Sequence, residues 1–236
     1  METGQMKLRC KDLSYTYPGS TIALFHGLSF EIERPGFHAL FGPSGVGKTS
    51  LARMMAGEIT DFSGRLETDG MQSLLYSYNM ERLPGWPGVG KHIEKITPPG
   101  KDSLRDELIE VFGVSGVINA RFSQLSLGQQ NRVNLIRYLL QDFHLLIMDE
   151  SLANVDERTR ETILLKIKEL FPDTFILYIS HNVIEVSKLC EVILVFRGPG
   201  KTPEAVTVLG QDHRIDGPMD KERLEATMLE VMNAAA

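Results

Sequence analysis

GPSGVGKT, Gly42 to Thr49, decides how the rest of the chain is read. It matches the phosphate-binding pattern G-x-x-x-x-G-K-[ST] at every fixed position. Glycines at Gly42, Gly45 and Gly47 let backbone N–H groups curl around a polyphosphate that side chains would keep away. Pro43, Ser44 and Val46 fill the variable positions, and Ser50 follows directly. Lys48 would reach the outer phosphates, and Thr49 would offer its hydroxyl to Mg2+. The flanks agree, with an apolar strand predicted over Phe37–Phe41 and a helix over Thr49–Ala56.

Outward from the loop, strands and helices alternate. FHLLIMDE (143–150) carries the unbroken apolar run of a strand buried on both faces of a parallel sheet. Helices are predicted over Asp102–Phe112, Leu127–Leu140, Glu157–Phe171 and Asn182–Leu189. Strands are predicted over Lys7–Leu13, Leu28–Glu33, Leu74–Tyr78, Thr174–Ile179 and Glu191–Phe196. Between Trp86 and Gln141 no strong strand candidate occurs, which suits a helical lobe inserted in an α/β core. After GPGK (198–201) the pattern gives a hairpin-like piece and a last helix over Lys221–Met232. Such alternation places a ligand site at the carboxyl ends of the strands.

The chemistry gathers there. Asp149 closes a buried strand and is suited to hold Mg2+, whereas Glu150 points elsewhere and could polarise a water for attack on a γ-phosphate. A neutral His181, after FILYIS, could position that water or touch the phosphate. LSLGQQ (125–130) reads as a helix start, with Ser126 as cap and Gln129 completing a capping box. Its free N–H groups make a second anion site.

Bulk properties exclude other classes. The net charge of −6 over 236 residues argues against nucleic acid or anionic lipid as an electrostatic partner. Cys10 and Cys190 form neither a disulfide framework nor a metal pattern. No apolar run approaches the roughly 18 residues of a membrane span, and METGQMKLRCKDL lacks the apolar core of a signal peptide. A soluble intracellular protein is expected.

GPSGVGKT, LSLGQQ, LLIMDE, NVD (154–156) and SH (180–181), in that order, resemble the motifs of the ATP-binding cassette (ABC) ATPases, from Leu8 to about Phe196. The resemblance implies an α/β P-loop NTPase fold of ABC type: a mainly parallel sheet core, an antiparallel N-terminal β part and an inserted helical lobe. It implies one domain over 1–236, with the lobe at about 80–140 and a tail over 201–236 of no assigned role. The substrate would be ATP with Mg2+. Two cassettes would pack head to tail, so that Ser126, Gly128 and Gln129 close over the nucleotide held by the partner's phosphate loop. Asp156 would couple the two sites. Tyr17 resembles the aromatic that stacks on adenine, with Tyr15 as the alternative on the same strand face. Asn79 falls where the family has a glutamine near Mg2+; it keeps the amide but is shorter by a methylene, roughly 1.5 Å. Leu127 replaces a glycine and Ser151 a proline.

RLPGWPGVGKHI (82–93) resembles import cassettes of the nitrate/sulfonate/taurine type. This implies transmembrane permease subunits as partners, with a solute-binding protein in the full system. The cassette would sit at the cytoplasmic face of the membrane, peripheral through the permease. An exporter cassette and a nucleotide sensor with little turnover stay open as alternatives.

Overall fold

Alternating apolar positions build the first sheet. The computed structural model describes residues 6–79, 81, 88–198, 200–215 and 217–236. β1 (Lys7–Thr16) pairs antiparallel with β2 (Ala23–Ile32). Leu8, Cys10, Leu13 and Tyr15 face inward from β1, as do Phe25, Leu28, Phe30 and Ile32 from β2. Both strands run longer than their alternation predicts. The register shifts between Cys10 and Leu13, beside Asp12 at φ 50°, and that shift breaks the period-2 pattern.

β3 (Gly36–Phe41) leads through the phosphate-loop sequence into α1 (Lys48–Met55). β4 (Ser63–Asp69) then returns to the other side of β1. β4 carries no apolar alternation, so only its pairing with β1 reveals it as a strand.

β5 (Leu74–Tyr78) is followed by α2 (Val89–Ile96), α3 (Asp102–Val111) and α4 (Leu127–Leu139). α2 is absent from the sequence reading. It follows a Gly/Pro-rich run and is short, its apolar face carried by Val89 and Ile93, both buried, with Ile96 half-buried at its end. Trp86 lies outside the described residues, as do the other positions of 82–87.

The chain continues through β6 (Leu145–Asp149), α5 (Glu157–Leu170), β7 (Phe175–Ile179), α6 (Val183–Leu189) and β8 (Val192–Phe196). β9 (Ala205–Leu209) and α7 (Lys221–Ala235) complete it. The second sheet has the order β5-β6-β7-β3-β8-β9, parallel from β5 to β8, with β9 antiparallel at the edge.

Period-2 geometry divides each central strand between two cores. Leu145 and Ile147 of β6 join Phe175, Leu177 and Ile179 of β7 under α1 and the antiparallel sheet. Leu146, Met148, Ile176 and Tyr178 join the core that includes α4, α5 and α6 on the opposite face. Parallel strands covered on both sides hold the loops at their carboxyl ends at fixed separations.

Candidate functional site

The phosphate loop is built by close packing. Gly47 caps α1 at φ 102°, and a Cβ there would lie 2.5 Å from the Phe25 ring. An L side chain would therefore meet both steric strain and a clash. Lys48 Nζ donates to the carbonyl oxygens of Gly42 and Pro43, each at 2.7 Å, and so stays at the mouth of the loop. Burial lowers the Lys48 pKa, opposed by the charges of Glu150 and Asp149.

Next to the loop, a cavity of about 480 Å3 is lined by Thr49, Arg53, Tyr76, Asn79, Asp149 and Glu150 among others. Asp149 ends β6 and is buried. Burial raises its pKa, although hydrogen bonds from Thr49 and Tyr76 act the other way. Tyr76, one strand over on β5, donates to Asp149 Oδ2 at 3.0 Å. One residue on, Glu150 has φ 50°, a left-handed conformation that turns the chain out of the strand direction. Its carboxylate lies 3.4 Å from Nδ1 of His181, which follows β7. Lys48, Thr49, Asn79, Asp149, Glu150 and His181 are thus brought to one sheet edge.

The exposed Thr49 hydroxyl beside the buried Asp149 carboxylate fits Mg2+, a hard cation that takes oxygen ligands and typically uses one or two carboxylates beside phosphates. A cation would also relieve the burial of the Asp149 charge. Thr49 and Asp149 are the residues that would hold it. Asn79 is differently placed, because its Oδ1 accepts a hydrogen bond from Asn131 Nδ2 at 2.9 Å.

Of the two candidate tyrosines, Tyr15 is buried at 7% exposure and Tyr17 is open at 41%. Tyr17 lies just beyond β1, edge-on to Tyr15 at 5.0 Å, and its hydroxyl shares a 2.7 Å hydrogen bond with Ser50 Oγ. With Gly45, Val46 and Ile22 it lines a second cavity, of about 520 Å3. Its ring is the one available to a ligand.

The LSLGQQ helix start forms as the capping pattern predicts. Gln129 N donates to Ser126 Oγ at 3.3 Å, and Ser126 N donates to Gln129 Oε1 at 2.9 Å. Gly128 is buried at a close approach, since a Cβ there would lie 2.2 Å from the Asn154 carbonyl oxygen. Asp156 caps α5 by accepting from Thr159 N at 2.9 Å, which lowers its pKa. Ser126, Gly128, Gln129 and Asp156 are not among the residues lining the 480 Å3 cavity.

Sequence reasoning missed Tyr76 and Asn131. No motif marks either, and each matters through a partner distant in the chain. Ser151, noted for replacing a proline, donates its hydroxyl to the Ser77 carbonyl at 2.9 Å and ties the loop after β6 to β5.

Comparison with known proteins agrees with this geometry. A family model described as ABC transporter matches residues 25–153. The chain is 31% identical over 196 residues to the molybdenum import ATP-binding protein ModC of Saccharophagus degradans, covering 75% of this chain and 54% of that one. It is 26% identical over 230 residues to the ribose import ATP-binding protein RbsA of Bacillus licheniformis, covering 88% and 46% respectively. The chain thus spans about half the length of these curated relatives. A bacterial Atm1-family ABC exporter with ATP bound shares the fold, with a TM-score of 0.73 at 19% identity, covering all of this chain and 43% of that one. Among the described residues no helix is long and apolar enough to cross a membrane. With a phosphate loop, an acidic strand end and a capped LSLGQQ helix on this sheet, the chain belongs to the ABC transporter family, as one of its ATP-binding domains.

Proposed function

We propose that the chain hydrolyses MgATP to drive a membrane transporter, working as one of two cassettes attached to transmembrane permease subunits. The observation that carries this reading is the meeting of Lys48, Thr49, Asp149, Glu150 and His181 at one sheet edge.

Lys48 and the loop N–H groups hold the β- and γ-phosphates, and Tyr17 stacks on the base. Mg2+, when bound at Thr49 and Asp149, supplies charge neutralisation to the phosphates. Glu150 accepts a proton from water as the water oxygen bonds to the γ-phosphorus. The bond from that phosphorus to the β–γ bridging oxygen breaks, leaving ADP and phosphate. His181, beside Glu150, orients the attacking water. Ser126, Gly128 and Gln129 of each chain close over the partner's γ-phosphate, and Asp156 links the two sites. The helices between β5 and β6, in the lobe over about 80–140, pass this closure to the permease.

The direction is import of a small solute, which would require a solute-binding protein outside. Import stands in the names of the relatives above, with different solutes. The nitrate/sulfonate/taurine type rests on the RLPGWPGVGKHI stretch. The cassette then sits on the cytoplasmic face of the membrane through its permease.

Steady-state ATPase rate across a wide range of chain concentrations tests the reading, with Glu150→Gln as blank. A specific rate that rises with concentration is expected, because two chains complete each site. Wild-type turnover in Glu150→Gln would remove Glu150 from its role. A wild-type rate equal to the blank, recovered by Asn79→Gln, would favour the nucleotide-sensor reading instead.

A further inference from the structure

Asn131 occupies a position that no motif explains. It lies just over a turn beyond the Ser126 cap of α4 and is 4% exposed. Its amide nitrogen serves two acceptors, Asn79 Oδ1 at 2.9 Å and the Ala153 carbonyl at 2.7 Å. One buried side chain therefore joins three segments: the helix that begins with LSLGQQ, the end of β5 at the cavity, and the loop that follows Glu150.

The direction of the first bond has a chemical consequence. Asn79 lines the cavity, and its backbone N–H is already committed to the Asp149 carbonyl at 3.0 Å. One lone pair of Oδ1 stays free, but the oxygen is turned toward Asn131, and the end of the Asn79 amide that makes no hydrogen bond among the described residues is its NH2. An amide nitrogen donates to phosphate oxygens and cannot ligate Mg2+. We infer that Asn131 is a positioning residue that fixes the Asn79 amide with its NH2 toward the cavity, making Asn79 a donor to the γ-phosphate instead of a magnesium ligand. Because Asn131 also grips Ala153, the same bond makes recognition of the terminal phosphate depend on how α4 sits against the loop after β6. This deepens the nucleotide-site reading and rests on it.

The test is calorimetric binding of ADP and of the non-hydrolysable ATP analogue adenylyl imidodiphosphate to the full chain, with and without Mg2+. The wild type prefers the triphosphate. Asn131→Ala lowers that preference about tenfold, the size of one hydrogen bond to a charged acceptor, without changing the Mg2+ dependence. The ionised carboxylate of Asn131→Asp only accepts, so at a pH where it is ionised it turns the Asn79 amide round and brings its oxygen to the cavity. Mg2+ dependence then increases, which a merely structural role for Asn131 would not produce. Asn79→Ala leaves the bond to Ala153 in place and shows the same loss of preference, which serves if the Asn131 variants fail to fold. Preference unchanged in Asn79→Ala or Asn131→Ala, or absent from the wild type, overturns the inference. Lys48→Ala separates the two levels: if it leaves nucleotide binding unaltered, the site reading itself fails.

Discussion

The Tyr76 hydroxyl donates to Asp149 Oδ2 at 3.0 Å across the β5–β6 pair, so the carboxylate assigned to Mg2+ is oriented by a neighbouring strand before any ligand arrives. Tyr76→Phe deletes that bond and little else. Apparent Mg2+ affinity, read from Mg2+-dependent ATP binding, falls about tenfold, while binding of metal-free ATP stays the same. Equal Mg2+ titrations for wild type and variant would show that Tyr76 only packs.

Asp149 sets function against stability. Its pKa is raised because burial disfavours the charge more than its hydrogen bonds favour it. A carboxylate with a raised folded-state pKa destabilises the fold when ionised, and that cost disappears as pH falls through the raised value. Asp149→Asn therefore melts higher than wild type at pH 7 without nucleotide, by about 2–4 °C for each kcal/mol relieved. It also loses the Mg2+-dependent part of ATP binding. Scanning calorimetry with and without MgATP reads both effects, and a lower melting point in the free variant contradicts the first.

Nucleotide binding weakens on the alkaline side. Burial lowers the Lys48 pKa in the free chain, so the ammonium loses its proton at a lower pH than an ordinary lysine. A polyphosphate binds the charged form, and affinity therefore declines as pH rises through that lowered value. Lys48→Ala binds more weakly throughout and lacks this slope. ATP titrations from neutral to alkaline pH compare the two.

Gly128 has a structural demand independent of nucleotide. The methyl group of Gly128→Ala would meet the Asn154 oxygen, and the resulting shift costs about 1–3 kcal/mol. The expected result is a lower melting temperature in the nucleotide-free chain. An unchanged melting temperature would mean that the loop around Asn154 yields easily.

What the sequence revealed and concealed follows from burial. β3, β6, β7 and β8 were legible because strands covered on both faces are apolar along most of their length, the buried His38 of β3 being an exception. β4 was not, since its residues are exposed or half-buried and only the backbone of β1 recruits it. Lys48, Thr49, Asp149, Glu150 and His181 could be placed together because strand ends in such a sheet share one edge. Tyr76 and Asn131 could not, for their partners lie 73 and 52 residues away and depend on strand register and helix rotation. Tyr17 could be separated from Tyr15 only once burial of the latter was known.

β9 closes the edge of β8, a strand that is almost wholly buried and wholly apolar. A ribosome makes β8 first. Until Leu209 follows Phe196 out, the growing chain carries an unpaired, sticky strand edge open to any neighbour. At about 5–20 residues per second that exposure lasts on the order of a second or two. The tail beyond Gly200, which holds none of the assigned chemistry, supplies the strand that covers that edge.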